Sequence, residues 1–277
     1  MGDLAGKNVL ITGANTGIGR ATALALGARG AALFLAGRSA ARTQPVVDVL
    51  RAQGGAAEFF ELDLGDLASV RRCAEAVLDR VERLDVLLNN AGLAGQRGST
   101  KDGFELAFGV NHLGHFLLTE LLLDRLIASA PSRIVNVSSR SHYSAKSIDW
   151  EALQEPTASI TGLPEYGVSK LCNVLHAKDL AKRLEGRGVT TYAVHPGTIA
   201  SDVWRRVPWP VRPVLKLFLK STAQGALTSI HCAASPDVAV ESGLYYDDCR
   251  VKRPSRLALD GDLAVELRER SKAWSGL

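Results

Sequence analysis

"ITGANTGIGR", residues 11–20, closes a short apolar run, "NVLIT" (8–12), and opens a helix of small residues from Ile18 to Ala28. The fold is decided by this passage from strand to helix through three glycines. Gly13, Gly17 and Gly19 permit a tight turn and let a pyrophosphate approach the backbone N–H groups at the helix start, with Asn15, Thr16 and Ile18 filling the turn. The spacing is G-x-x-x-G-x-G rather than G-x-G-x-x-G. Glycine-rich turns are frequent, so the signal lies in the position after a first strand and before a small-residue helix.

Outward from this turn, short aliphatic runs alternate with helical patterns. "ALFLAG" (32–37) precedes a helical stretch through Leu50, and "EFFELD" (58–63) one over roughly 67–81. "LDVLLNN" (84–90) precedes a long helix from about Phe104 to Ser129; "RIVNVSS" (133–139), "VTTYAVH" (189–195) and "GLYYDD" (243–248) supply later strands. Strands separated by helices imply right-handed crossovers, hence a parallel sheet with helices on both faces. The near-continuous apolar strands fit a sheet covered on both sides. No linker or repeat divides the chain, so residues 1–277 are expected to form a single doubly wound α/β (Rossmann-type) domain.

Composition excludes several classes. Of 277 residues, 46% are hydrophobic and 22% charged, as in ordinary soluble proteins. A net charge of +4 without a basic stripe argues against a nucleic-acid partner. Cys73, Cys172, Cys232 and Cys249 are scattered, without a C-x-x-C pair, and read as reduced thiols. His112 and His115 in "NHLGHF" lack accompanying ligands at metal spacing, so packing or polar contacts are expected and no metal. "NVLIT" is too short for a signal-peptide core or membrane span, and "MGDLAG" lacks the Ser or Thr of a myristoylation signal. The expected location is cytoplasmic.

Two further features bear on chemistry. At the end of the second strand, where an acid would accept from a ribose 2′-OH, the chain reads Gly37 and then Arg38. A guanidinium suits a 2′-phosphate, so NADP(H) is expected over NAD(H). In "EYGVSK" (165–170), Tyr166 and Lys170 stand four apart and share a helix face. Alone, such a pair is an incidental aromatic on a solvated helix. Asn111 alone is a structural amide, "VSS" (137–139) a cap and Pro196–Gly197 a turn. Their joint occurrence decides otherwise.

With "TGANTGIG", "NNAG" (89–92), "VSS", "YGVSK" and "HPG" (195–197) in order, the chain resembles the short-chain dehydrogenase/reductase family over nearly its whole length. "VNHLGHFLLT" (110–119), "YGVSKLCNVL" (166–175) and "VTTYAVHPG" (189–197) resemble its retinol dehydrogenase-like branch. The resemblance implies Tyr166 as acid/base and Lys170 as the residue that binds the nicotinamide ribose and lowers the tyrosine pKa. It implies Ser139 as hydrogen-bond donor to the substrate oxygen, and Asn111 as the residue that holds a helix kink and a water beside Lys170. By the same resemblance Pro196, Gly197 and Thr198 meet the nicotinamide, Asp63 and Leu64 flank the adenine, and Asn90, Ala91 and Gly92 line the cofactor cleft. Physical chemistry supports the pair independently: a free phenol, near pKa ~10, is a poor base at neutrality until a nearby cation stabilises its phenolate.

The stretch between Ser139 and Tyr166 is longer than in many relatives and comparable with the retinol dehydrogenase-like branch; it is expected to edge the substrate mouth. Tyr143 within it, without a lysine four residues on, is given little catalytic weight. The family's substrate lid falls at about 198–222. Here "SDVWRRVPWPVRPVLKLFLK" (201–220) combines Trp204, Trp209 and aliphatic residues with five cations. It reads as a lid over a lipophilic substrate, with transient membrane contact through 204–220 as a rider. Many retinol dehydrogenase-like relatives carry an N-terminal anchor that this sequence lacks, so other lipophilic aldehydes, ketones or steroids stand beside retinoids. The family commonly forms homodimers or homotetramers through helices matching 104–129 and 166–185. The expectation is an NADP(H)-dependent oxidoreductase acting in the direction of carbonyl reduction. A non-catalytic NADP(H)-binding regulatory protein is the alternative. A nucleotide-sugar enzyme on the same fold is disfavoured by the apolar 201–220 stretch.

Overall fold

The computed structural model describes residues 2–197 and 221–277, so Thr198 and the stretch 201–220 lie outside the described residues. Eight strands form one sheet in the order β3-β2-β1-β4-β5-β6-β7-β8. They are β1 (Asn8–Thr12), β2 (Ala32–Gly37), β3 (Ala57–Glu61), β4 (Val86–Asn89), β5 (Ser132–Val137), β6 (Val189–His195), β7 (Leu244–Asp247) and β8 (Arg250–Val251). All pairings are parallel except the last. β8 departs from the expected parallel sheet by turning back on β7 through a two-residue hairpin, with Asp248 and Cys249 both in the left-handed region. Arg250 and Val251 are exposed on this edge, where a cation discourages pairing with another chain.

Helices α1 (Gly17–Ala28), α2 (Ala40–Ala52) and α6 (Thr222–Ala234) cover one face, burying Ala23, Leu26, Val46, Leu50 and Cys232 against Val9, Ile11, Leu33 and Val135. On the other face, α3 (Leu67–Arg80), α4 (Leu106–Ala128) and α5 (Leu163–Arg183) pack Val70, Val77, Leu118, Leu122 and Leu180 against Leu10, Leu87 and Ile134. This is a single α/β domain, as its sequence implies. Strand order reverses between β1 and β4, so the carboxyl ends of these neighbours, Thr12 and Asn89, open the crevice where such sheets bind ligands.

The long helix starts at Leu106 rather than Phe104, because the Glu105 carboxylate caps it, accepting from Phe108 N–H at 2.7 Å. It is not regular: Gly109–Leu113 adopts π geometry. By length and composition it is the one helix among the described residues that could cross a membrane, yet 72% of its apolar window is buried inside the fold. Its apolar faces are core.

The sequence reading gave no account of α7 (Gly261–Ser275), which packs on α5 and α4. Trp274 stacks near Phe104 and Phe108, with ring centroids 5.8 and 5.7 Å away. Arg268 Nη1 reaches Asp179 Oδ1 at 2.7 Å, while Arg183 lies 3.5 Å from the same carboxylate. Thus α7 occupies flank on the two helices expected to mediate self-association. Burial pushes the Asp179 carboxyl up, and its two arginines pull it back. Replacing Arg268 with Leu leaves Asp179, 4% exposed, with only the longer pairing. The expected loss is about 1–3 kcal/mol, a drop of several degrees in the melting temperature, read by thermal unfolding at pH 7.

Candidate active site

The glycine turn is held by close contact with "NNAG". Gly13 has φ +70°, and a Cβ there would lie 2.9 Å from Ala91; one on Gly19 would lie 2.4 Å from the Gly13 carbonyl and 2.5 Å from Asn90 Nδ2. Only glycine fits either place. Asn90 Nδ2 donates to Thr12 O at 2.8 Å, and the N–H groups of Asn90 and Ala91 both donate to Thr12 Oγ1 at 2.9 Å. The turn through Asn15 and Thr16 to Gly17 and Ile18 thus sits on the carboxyl edge of β1 and β4. Thr16, the N-cap of α1, makes no side-chain capping bond, and the first turn carries no acid. The leading N–H groups of α1 are therefore free for an anion, and the glycine cradle fits a dinucleotide pyrophosphate.

Arg38 is exposed just past β2. A Cβ on Gly37 would meet only Thr43 Oγ1, at 3.7 Å, so the space at 37 does not itself require glycine. Asp63 accepts from Gly65 N–H at 3.0 Å and donates its own N–H to Ser69 Oγ at 3.0 Å, fixing the turn beyond β3. Leu64 is buried against Gly114, where a Cβ would lie 2.5 Å from the Leu64 carbonyl. Pro196 and Gly197 (φ +90°) follow β6.

The second group of residues converges from α4, α5 and the end of β5. Gly162, at φ +63°, and Pro164 start α5, placing Tyr166 in its first turn and Lys170 one turn on. Lys170 Nζ lies 5.6 Å from the Tyr166 ring centroid and donates to Val137 O at 2.9 Å. Ser138 Oγ donates to Lys170 O at 2.7 Å, tying β5 to α5. Ser139 follows and hydrogen-bonds Tyr166. Ser139 Oγ also accepts from Ser141 N–H at 3.1 Å and donates to Ser141 Oγ at 3.2 Å. Asn111, in the π segment, clamps Leu93 at both ends: Oδ1 accepts its N–H at 2.9 Å and Nδ2 donates to its carbonyl at 3.0 Å. Asn111 Nδ2 also donates to Ser169 Oγ at 2.9 Å. A Cβ on Gly92 would lie 3.0 Å from Asn111 Oδ1 and 3.4 Å from Lys170 Nζ. Asn111, Ser139, Tyr166 and Lys170 are thus brought together beside "NNAG". Tyr143 is not part of the group; its hydroxyl donates to Arg253 O at 2.6 Å.

Burial dominates the electrostatics of the pair. Burial pushes the Tyr166 phenol above its usual range, opposed by the bond from Ser139. Burial also lowers Lys170 to about 7. Burial thus weakens the hold of Lys170 on its proton beside the phenol. Sequence reasoning also passed over Thr12 and Ser169, small polar residues inside motifs, and the links of His115 to Thr12 Oγ1 at 2.9 Å and to Asn111 O at 3.0 Å. The "NHLGHF" spacing marked those histidines without fixing their partners.

The lowered Lys170 pKa has a stability sign. As pH falls below the ordinary lysine value of 10.5, the unfolded chain takes a proton that the folded chain refuses until about 7. Folding therefore loses stability over that window. A Lys170→Met variant removes the cost, and Val137 O keeps its bond from Asn173 Nδ2 at 3.1 Å. The variant is expected to gain about 1–4 kcal/mol at pH 7, with the gain vanishing toward pH 10.5, read by thermal unfolding across pH.

Residues 7–150 match the family model of the short chain dehydrogenases. Mouse retinol dehydrogenase 12 is 46% identical over 88% of this chain and 78% of its own length. Human retinol dehydrogenase 11 is 44% identical over 95% of this chain and 84% of its own. Among solved structures, an uncharacterized protein from Mycobacterium paratuberculosis superposes with a TM-score of 0.80 at 32% identity, covering 100% of this chain and 96% of that one. The strand order, the glycine cradle and these likenesses agree: the chain belongs to the short-chain dehydrogenase/reductase family, in its retinol dehydrogenase-like branch, and is an oxidoreductase acting on the CH–OH group.

Proposed function

We propose that this chain interconverts a lipophilic alcohol and its aldehyde or ketone with NADP(H), acting in the cytoplasm chiefly as a carbonyl reductase. The observation that carries the reading is the convergence of Tyr166, Lys170, Ser139 and Asn111 beside the uncapped start of α1. A bound nicotinamide would supply the hydride. Ser139 Oγ, a rotor already held from behind by Ser141 N–H, turns its proton toward the substrate oxygen and stabilises the charge that develops there. Tyr166 gives its phenolic proton to that oxygen in reduction and takes it back in oxidation. Lys170 would hold the nicotinamide ribose hydroxyls, and its charged form would favour the phenolate. Asn111 anchors this lysine's surroundings through Leu93 and Ser169. Asn90, Ala91, Gly92, Pro196 and Gly197 would line the nicotinamide end, Asp63 and Leu64 the adenine end.

Arg38 and the acid-free position 37 support a preference for the 2′-phosphate. Lipophilic substrates are supported by the named activity of the retinol dehydrogenase relatives and by an apolar rim. Leu163, 50% exposed, lies one turn before Tyr166 beside Gly95, and Ile160, 88% exposed, stands just ahead of α5.

The test is NADPH oxidation with retinal, a long-chain aldehyde and a ketosteroid. Tyr166→Phe is expected to keep NADPH binding and lose about 10²–10⁴-fold in turnover; turnover surviving in that variant would show that another group moves the proton. For cofactor choice, Arg38→Ala is expected to raise the KM for NADPH about 10-fold or more while leaving that for NADH nearly unchanged. Gly37→Asp is expected to shift preference toward NADH, since the carboxylate repels the 2′-phosphate and accepts from a 2′-OH.

A further inference from the structure

We propose that His115 is a positioning residue for the reaction, a neutral imidazole that fixes the Asn111 segment to the strand end bearing the glycine turn. The inference rests on the oxidoreductase reading above. Its tautomer follows from counting bonds. Thr12 Oγ1 already accepts two backbone N–H groups, from Asn90 and Ala91, so its own proton points to His115 Nε2, 2.9 Å away. Nε2 is therefore the acceptor, and Nδ1–H donates to Asn111 O at 3.0 Å. The chain continues without a gap. Asn111 Nδ2 donates to Ser169 Oγ, and Ser169 Oγ donates to Tyr166 O at 2.8 Å. Every side chain in it is buried: Thr12, Asn111 and Ser169 are 0% exposed and His115 2%.

One imidazole thus links the backbone that carries the glycine turn, the π segment and the first turn of α5. The π segment is what makes the link informative. Gly114 N–H bonds Gly109 O, one residue beyond helical register, so the geometry around Asn111 differs from that of a regular helix. The His115 bond to the Asn111 carbonyl helps to hold that register. Burial keeps the imidazole uncharged, with its pKa lowered to about 4, so no second cation competes with Lys170. The plain alternative is a core histidine with satisfied nitrogens, which would matter for folding and not for chemistry.

The experiment compares wild type with His115→Leu and His115→Gln. Glutamine supplies one acceptor and one donor; leucine supplies neither. The readouts are the single-turnover rate of NADPH oxidation with retinal, the long-chain aldehyde or the ketosteroid, the Kd for NADPH, and amide exchange over residues 106–120. His115→Leu is expected to slow the single turnover about 10–100-fold with the Kd changed less than about threefold, because small misplacements of reacting groups cost rate before binding. His115→Gln is expected to recover most of the rate. Amide exchange over 106–120 is expected to quicken in the leucine variant and return in the glutamine variant.

The proposal is overturned if the leucine variant, folded by its melting curve, turns over at the wild-type rate. It is equally overturned if the glutamine variant is no better than leucine, or if exchange over 106–120 is unmoved. Inactivity of the wild type with every probe, despite NADPH binding, overturns the functional reading and the catalytic part of this one. The exchange arm still decides whether His115 holds the π segment.

Discussion

The hydroxyl of Thr12 is a single atom on which two halves of the sheet and one long helix meet. It accepts the N–H groups of Asn90 and Ala91, which sit past the end of β4, and faces His115 in α4. Parallel strands end with backbone groups that have no further ladder partner, and buried groups of that kind must be bonded or destabilise the fold. At the β1–β4 boundary the side chain of Thr12 takes the place of the missing ladder. The closeness that results is what makes Gly13 and Gly19 necessary, since a Cβ on either would strike the neighbouring loop. The ligand crevice is thus a consequence of how one strand end is satisfied.

The same economy of partners explains the catalytic corner. Val137 O, the last carbonyl of β5, receives both Lys170 Nζ and Asn173 Nδ2, while Ser138 returns a bond to Lys170 O. These contacts lock the lysine in place and also strip it of water, which is why its proton is held weakly. A fold selected for stability alone would put an apolar residue here. A buried lysine whose pKa is lowered, next to a phenol whose pKa burial raises, is the kind of perturbed pair that clusters at functional sites.

How much of this the sequence displays depends on range. The strands are legible because burial on both faces demands continuous aliphatic runs. The glycine turn and the Tyr166–Lys170 pair are legible because their geometry is local, set by a turn or by one helical repeat. Asn111 was legible by resemblance, but its π register was not, because nothing in "GVNHL" distinguishes an i→i+5 bond from an i→i+4 one. The Thr12–His115 link spans 103 positions and the Arg268–Asp179 pair 89. No periodicity reports such distances. The helix α7 was missed for a related reason: it alternates charge with few apolar residues, and its burying partners, Trp150, Phe104 and Phe108, lie on other elements.

The long helix shows why composition and context must be weighed together. Leu106–Ala128 meets the length and hydropathy of a membrane span, and the same residues could be read as an anchor. Its polar residues argue otherwise. Asn111, His112 and His115 all lie in its first half, and each is engaged with another element: Leu93 and Ser169, Asn173 and Ser271, Thr12. In a lipid core those groups would be left to satisfy one another, at a cost of several kcal/mol each. Within the fold they are the contacts that set the helix in register with the sheet. The apolar content of the remaining turns then follows from burial between the sheet and α3, with no need for lipid. The helix is apolar because it is central, and Asn111 and His115 in its first half tie it to the candidate site.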